Sequence, residues 1–146
     1  MSDSKTTEAM IDILKMYTDE EDTGEWVVAW SGGKDSTAVL GLVTEVVQSL
    51  PADHRRRKIN VIMSDTFIEN PILGGYMVDQ VDKFNAYTER NALPMAASIV
   101  SRPIEKSYFV LTLGRGYFLP LRNGQGRWCT ERLKIEPSNK AIQHLA

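Results

Sequence analysis

Residues 26–37 read WVVAWSGGKDST and combine a short apolar run with a glycine-rich polar turn. The apolar run, 26–30, has the length and composition of a buried β-strand. The turn at 31–36 interrupts it, and 37–50 then carries apolar side chains at helical spacing until Pro51, which cannot continue a helix. A buried strand, a glycine turn and a helix in this order predict the start of an α/β domain.

Two further strands are predicted at 58–63 and 95–100, separated by a helix that opens at Pro71. Short strands joined by long helical crossovers predict a parallel sheet flanked by helices, a Rossmann-like arrangement. The remaining segments are expected to be a first helix capped by Thr6 or Thr7 and ending at 19–22, a helical or extended segment at 104–113, a loop at 114–128, and a last helix from Pro137 or Ser138.

Length and composition bound the class of protein. The chain has 146 residues, 42% of them hydrophobic and 25% charged, which excludes a disordered, collagen-like or disulfide-stapled chain. No apolar run approaches the length of a membrane span, and the polar residues 1–7 do not resemble a signal peptide. Cys129 is the only cysteine and cannot form an intrachain disulfide, so we expect a reducing, cytoplasmic location.

We divide the chain into two parts. We expect 1–25 to form an N-terminal helix and acidic segment, and 26–146 to form one domain. Residues 1–26 hold eight acids and two bases, a net charge of −6. Residues 138–146 are too few for a stable terminal helix without a partner. We therefore expect either a truncated domain of a longer protein or a core that another chain completes, a homo-oligomer included.

The turn at 31–37 has the composition of a phosphate site. It follows a strand and opens a helix, so free N–H groups and the positive end of the helix dipole face the same point. Its candidate phosphate ligands are the backbone at Gly32 and Gly33, the hydroxyls of Ser31, Ser36 and Thr37, and the ammonium group of Lys34. Asp35 would repel an anion, so we expect it to hold Mg²⁺ or to orient Lys34. The turn is not a Walker A loop, because Val28 occupies the position of that motif's first glycine.

A basic cluster is predicted at 114–134, where five bases and one acid give a net charge of +4. Glycines and aromatic residues alternate with the arginines, which favours contact with phosphate groups. Cys129 lies inside this cluster and is either a small buried residue or a thiolate that handles sulfur. A second basic run, 55–58, is expected to be an exposed loop.

The sequence Ser-Gly-Gly-Lys-Asp-Ser at 31–36 resembles the PP-loop of the ATP pyrophosphatases, the adenine nucleotide alpha-hydrolase superfamily. Asp65-Thr66, with Glu69 beyond, resembles the Asp-Thr-Gly…Glu-Thr stretch of phosphoadenosine phosphosulfate (PAPS) reductases, although Phe67 replaces the glycine and Asn70 the second threonine. The segments 114–117 and 127–137 are similar to the DndC proteins of bacterial DNA phosphorothioation and to the related SspD component of single-strand systems.

The resemblance implies that 26–146 is a PP-loop nucleotide-binding domain with an adenine nucleotide alpha-hydrolase-like fold. It also implies an enzyme that splits ATP into AMP and pyrophosphate, with Mg²⁺ as cofactor. The reaction would adenylate the DNA backbone before sulfur is incorporated. The implied site residues are Ser31, Gly32, Gly33, Lys34, Asp35 and Ser36 on the β and γ phosphates, Asp65 and Thr66 near the adenosine or metal, and Arg132 and Lys134 closing over the phosphates or the substrate. Lys34, Asp35, Arg132 and Lys134 are the expected catalytic residues.

The implied partners are DNA, a cysteine desulfurase as sulfur donor and other phosphorothioation proteins. Relatives of the DndC type hold an iron–sulfur cluster with several cysteines, which Cys129 alone cannot do. Three alternatives stay open: a PAPS reductase-type enzyme of sulfur assimilation, a relative that thiolates or amidates tRNA or another substrate, and a nucleotide-sensing subunit without turnover.

Overall fold

The computed structural model describes residues 2–119 and 128–145. Within this range the sheet is parallel, with strand order β1–β2–β3, and the strands are β1 (Trp26–Ala29), β2 (Ile59–Asp65) and β3 (Met95–Ser101). The α-helices are α1 (Ser2–Thr18), α2 (Lys34–Ser49), α3 (Pro71–Arg90), α4 (Trp128–Thr130) and α5 (Glu136–Leu145). The predicted α/β class, a parallel sheet with flanking helices, is confirmed.

The main core lies on one face of the sheet. Ile59, Val61 and Met63 alternate along β2 and are at most 1% exposed, because α2 and α3 cover that face. The register pairs Ile59 with both Trp26 and Met95, so equivalent residues of all three strands contribute to the same layer. Burying a large apolar side chain stabilises a fold by about 1.5–3 kcal/mol, which makes this layer the main source of stability.

The opposite face of the sheet carries α5. The hydroxyl oxygens of Ser64 in β2 and Ser138 in α5 are 3.0 Å apart. Val27 and Ala29 of β1 belong to this face, and they remain half-buried and exposed respectively. An open space therefore lies beside α5, above the carboxyl half of β1.

Helix α1 packs against α2, and Arg57 links the end of α1 to the acidic segment through hydrogen bonds. The buried Tyr17 hydroxyl donates a 2.9 Å hydrogen bond to the Arg57 carbonyl, and the Arg57 guanidinium donates to Asp22 at 2.7 Å. The hydrogen bond from Arg57 lowers the pKa of Asp22. Arg57, expected in an exposed loop, is buried because it bridges these two segments.

The outer edge of β3 is occupied by a side chain of α3. The Asn85 amide donates to the Ala97 carbonyl at 3.0 Å and accepts from the Ala97 N–H at 2.7 Å. These are the two bonds that a neighbouring strand would make. Asn85 therefore blocks strand pairing at this point of the edge.

The elements begin or end a few residues away from several predicted boundaries. Helix α1 starts at Ser2, so Thr6 and Thr7 lie inside it rather than at its cap, since no glycine or proline interrupts the run before them. Helix α2 starts directly after Gly33, and β2 continues to Asp65. The start of α3 at Pro71 is confirmed, with the Asn70 side chain accepting from the Ile72 N–H.

The segment after β3 is helical rather than extended. It contains a 3₁₀ turn at Ile104–Lys106 and a π-helix at Val110–Gly114.

The last helix was predicted to begin at Pro137 or Ser138, but the helical run starts at Trp128 and passes through a π-helix at Glu131–Ile135. Proline has no backbone N–H, so Pro137 cannot donate a helical hydrogen bond, and the wider π-helical turn before it accommodates this missing bond. Part of the predicted 114–128 loop, 120–127, lies outside the described residues.

No helix in the described ranges combines the length and the apolar character needed to cross a bilayer.

Helix α3 ends in a Schellman motif with an unfavourable residue at its turning point. The Leu93 N–H bonds the Thr88 carbonyl at 2.9 Å, the Ala92 N–H bonds the Glu89 carbonyl at 3.2 Å, and Ala92 has φ of 48°. Glycine adopts this left-handed conformation without the steric cost that a Cβ atom adds. We expect Ala92→Gly to raise the free energy of unfolding by about 1 kcal/mol in urea denaturation.

The matched control is Ala86→Gly, an exposed alanine within the same helix. Glycine there should lower stability by about 1 kcal/mol, because it increases the entropy of the unfolded chain. Equal destabilisation by both substitutions would contradict the description of this helix end.

Candidate functional site

Trp30 fixes both ends of the glycine-rich turn. Its backbone N–H donates to the Ile62 carbonyl of β2 at 2.9 Å, and its indole Nε1 donates to Thr37 Oγ1 in the first turn of α2 at 2.9 Å. The ring also packs against Phe84 of α3, with centroids 5.9 Å apart. Trp30 is 6% exposed, so the turn is held by a buried anchor.

Hydrogen bonds within the turn shape it into a compact loop. The hydroxyls of Ser31 and Ser36 are 3.0 Å apart, and Ser36 Oγ donates to the Gly33 carbonyl at 3.1 Å. Gly32 has φ of 72°, a left-handed conformation that lets the chain reverse before α2. The first N–H groups of α2 therefore point towards the loop without intrahelical partners.

Lys34 and Asp35 stand at the rim of the loop. Lys34 Nζ lies 2.6 Å from Asp35 Oδ1, and both side chains are about nine-tenths exposed. The two groups form an exposed ion pair between consecutive residues. Because both groups are in solvent, the pair contributes little to stability and is easily rearranged by a phosphate.

A cavity of about 750 Å³ adjoins the loop. Its walls come from the loop, the open face of the sheet, the start of α3 and the helical run after 128. The lining residues are Val27, Ala29, Trp30, Ser31, Gly32, Gly33, Ile62, Met63, Ser64, Glu69, Leu73, Tyr76, Met77, Lys134, Ile135, Ser138, Asn139 and Ile142. Its volume and its largely apolar walls suit a small organic ligand with a polar end at the loop.

The end of β2 supplies a second polar edge. The Asp65 carboxylate accepts from the Phe67 N–H at 2.8 Å, and the buried Thr66 hydroxyl donates to Glu69. Phe67, which replaces a glycine of the reductase motif, has φ of 56°, so the left-handed backbone that favours glycine is present here. Of these residues, only Glu69 lines the cavity.

Glu69 faces Lys134 across the cavity. Burial alone would raise the pKa of Glu69, but hydrogen bonds from Thr66 and the backbone and the charge of Lys134 hold this pKa below its ordinary value. Glu69 is therefore a carboxylate at neutral pH. It links the end of β2 electrostatically to the helical run that closes the cavity.

The basic residues of 114–134 do not converge on one point. Lys134 lines the cavity beside the loop, whereas Arg132 points to a separate cavity and donates to Tyr117 Oη at 2.9 Å. Cys129 is half-buried and unpaired. Arg122 and Arg127 fall outside the described residues.

The structure thus brings together only part of the expected set. Ser31, Gly32, Gly33 and Lys134 line one cavity, and Lys34, Asp35 and Ser36 belong to the adjoining loop. The Thr37 hydroxyl is instead engaged with Trp30. Asp65 and Thr66 support the neighbouring turn rather than line the cavity.

Sequence reasoning did not identify Tyr76, Ser138 or Asn139 as cavity residues. They belong to helices whose facing sides depend on how α3 and α5 cross the sheet, which periodicity does not specify. Arg102 was also missed, although it directly follows β3. The rule that ligands lie beyond the carboxyl ends of parallel strands could have identified this position.

Comparison of the chain with protein-family models, with curated proteins and with solved structures finds no match. Within the described ranges, no three His, Cys, Asp or Glu side chains lie close enough together to hold a metal ion.

The two glycines of the loop have different roles, which substitution can separate. We expect Gly32→Ala to destabilise the protein by about 1–2 kcal/mol, since an alanine must adopt the left-handed conformation. The nearest atom to the added methyl group, Met63 Cε, would be 3.9 Å away, so the cost is conformational rather than steric.

Gly33→Ala is the matched control, because Gly33 has φ of −77°. Its added methyl would contact Ser31 Oγ at 3.4 Å, an ordinary distance. Urea denaturation should find this variant close to the wild type in stability. An equal loss in both variants would contradict the loop conformation.

The low pKa of Glu69 predicts a pH-dependent contribution to stability. A carboxyl group whose pKa is depressed by folding stabilises the protein above its unfolded pKa, and this contribution disappears as pH falls through the folded pKa. We expect Glu69→Gln to be less stable than the wild type at pH 7. The difference should shrink as pH falls from the ordinary pKa of a glutamate, about 4.3, through the lowered pKa of the folded state, where the wild-type carboxyl group becomes protonated. A pH-independent difference in urea denaturation would refute this role.

Proposed function

We propose that this protein is an ATP pyrophosphatase of the PP-loop type that cleaves ATP between its α and β phosphates, releasing pyrophosphate. In this proposal it activates the DNA backbone by adenylation for sulfur incorporation in phosphorothioate modification. The observation that carries the proposal is the position of the 31–36 loop, between the carboxyl end of β1 and the start of α2, at the polar end of an apolar cavity.

The loop has the groups needed to bind the outer two phosphates. The free N–H groups at the start of α2 and the helix dipole favour an anion at this position. Lys34 is exposed, and Asp35 is its one ion-pair partner among the described residues, so its ammonium group can move to the β or γ phosphate. These groups stabilise the charge that develops on the departing pyrophosphate.

The cavity suits the adenosine end of the nucleotide. Val27, Ala29 and Ile142 provide apolar contact area, and Tyr76 provides an aromatic ring. Asn139 and Ser138 add amide and hydroxyl groups that can bond a base or ribose. With the outer phosphates at 31–36, the α phosphate lies at the mouth of the cavity, between the loop and Lys134.

Magnesium usually binds through one or two carboxylates together with substrate phosphates. Asp35 is the carboxylate of the loop that fits this requirement, and Mg²⁺ would supply further positive charge at the β and γ phosphates. The nucleophile in this proposal is a phosphate oxygen of DNA, already ionised at neutral pH. No side chain is therefore required to remove its proton.

The test is product analysis after incubation with ATP, Mg²⁺ and single- or double-stranded DNA. We expect pyrophosphate, with the AMP moiety first joined to the DNA phosphate and then released as AMP when water or a sulfur nucleophile displaces it. Lys34→Ala should reduce pyrophosphate formation by about 100-fold or more, because it removes a charge that stabilises the leaving group. Lys15→Ala is the matched control. Lys15 is exposed on α1 and lines none of the cavities described above, so its removal should leave turnover unchanged.

The products also discriminate between the alternatives. ADP and inorganic phosphate would refute cleavage at the α phosphate. Tight ATP binding without turnover, lost in Lys34→Ala, would indicate a nucleotide-sensing subunit. Release of sulfite from PAPS in the presence of thioredoxin would indicate a sulfur-assimilation enzyme, and turnover only with tRNA would indicate a tRNA-modifying relative.

A further inference from the structure

A second cavity lies on the other side of the helical segment that carries Lys134. Its volume is about 360 Å³, and it shares no lining residue with the cavity beside the loop. Its lining residues are Arg102, Lys106, Leu111, Arg115, Glu131, Arg132 and Glu136. Four cations and two carboxylates give this small cavity a formal charge of +2, although the chain as a whole carries −2.

One of these cations, Arg102, is nearly buried and is held by an ion pair. The Arg102 side chain is 9% exposed and donates through Nη2 to Glu136 at 2.9 Å. A guanidinium group has five N–H donors, and this is its only side-chain bond to the described residues. The ion pair therefore fixes the orientation of Arg102, and its other donors have no side-chain partner among the described residues. Arg102 lines this cavity and also a neighbouring one.

Two further cations are available to a ligand. The side chains of Lys106 and Arg115 have no hydrogen-bond or ion-pair partner within 2–119 and 128–145, and both residues are exposed. Arg132 lies over the Tyr117 ring, with Cζ 5.0 Å from its centroid, which holds the fourth cation at the cavity wall. Two fixed arginines and two free cations are typical of a site for a multiply charged oxyanion.

Aromatic rings pack beside Arg132, which contacts Tyr117 and lines this cavity. Trp128 stacks on Tyr108 with centroids 5.7 Å apart, contacts Tyr117, and donates from Nε1 to the Phe118 carbonyl at 2.8 Å. The Phe118 side chain itself is 90% exposed. The other three rings are half-buried, so Phe118 is the ring of this group that is open to a ligand. An exposed aromatic ring beside basic side chains can stack on a base of single-stranded nucleic acid.

We propose that this basic cavity is a second phosphate-binding site, separate from the nucleotide loop. The phosphate is either an internucleotide phosphate of a nucleic-acid strand, which the neighbouring aromatic rings favour, or a free phosphate ion. The helical run from Glu131 to Glu136 forms a wall of both cavities, so a phosphate held here lies next to the nucleotide site across a single turn of chain.

The test compares the double variant Lys106→Ala/Arg115→Ala with the wild type. The control is Lys5→Ala/Lys15→Ala, which removes the same charge from two exposed side chains of α1. One measurement is fluorescence anisotropy of a labelled single-stranded oligonucleotide at several salt concentrations. The other is an NMR titration with inorganic phosphate, which reports the arginine Nε–H resonances directly.

We expect the cavity variant to bind the oligonucleotide about 25-fold more weakly than the wild type at about 0.1 M salt. The slope of log affinity against log salt should fall by about 1.4, since two phosphate contacts are lost. The control should keep the wild-type affinity and slope. Loss of phosphate binding alone, with the oligonucleotide unaffected, would still support the site and assign it to a free phosphate ion.

Unchanged binding of both probes in the cavity variant, or no binding of either by the wild type, would overturn the inference. Binding of a non-hydrolysable ATP analogue is measured in the same samples. The cavity variant should retain that binding, and Lys34→Ala should lose it. Failure of the phosphate site is therefore distinguishable from failure of the proposed nucleotide loop.

Discussion

The two hydrogen bonds of Trp30 are the constraint on which the rest of the site depends. One joins the end of β1 to β2 and the other joins it to Thr37 at the start of α2. Between these fixed points six residues must reverse the chain, and Gly32 makes this reversal possible by adopting a left-handed conformation. The free N–H groups at the start of α2 consequently face the open side of the sheet, where the cavity lies. The buried indole therefore determines both the packing of three elements and the direction in which the loop presents its donors.

Much of the fold could be predicted from the sequence because it depends on local patterns. Apolar runs indicated all three strands, and Pro71 and Asn91 mark the ends of α3 to within a residue. The extent of α1 was not predicted, since no glycine or proline marks its start. The helical segment 128–135 was not predicted either, since the glycine-rich stretch before it favoured a loop. The loop at 31–36 was identified because its chemistry is contained in consecutive residues. The cavity walls contributed by α3 and α5 could not be identified, because they depend on helix orientation over the sheet.

The 128–136 segment is where the sequence-based interpretation changes most. The sequence predicted a basic cluster in contact with phosphate groups, and the resemblance implied that Arg132 and Lys134 close as a pair over the phosphates or the substrate. In the structure these two residues point to different cavities, because they are separated by the buried Leu133 on a widened helical turn. Lys134 lines the same cavity as Glu69 and part of the 31–36 loop, and Arg132 lines the same cavity as Arg102 and contacts Tyr117. Under the two proposals, this short segment would contact a nucleotide on one side and a second phosphate on the other.

The most direct measurement is a crystal structure of the protein with Mg²⁺ and an ATP analogue that cannot be cleaved between its α and β phosphates. We predict the β and γ phosphates on the backbone N–H groups of 33–36, with Lys34 turned from Asp35 towards them and the adenine inside the larger cavity. A nucleotide bound at another position, with no phosphate at the 31–36 loop, would contradict the proposal that this loop binds the outer phosphates of ATP.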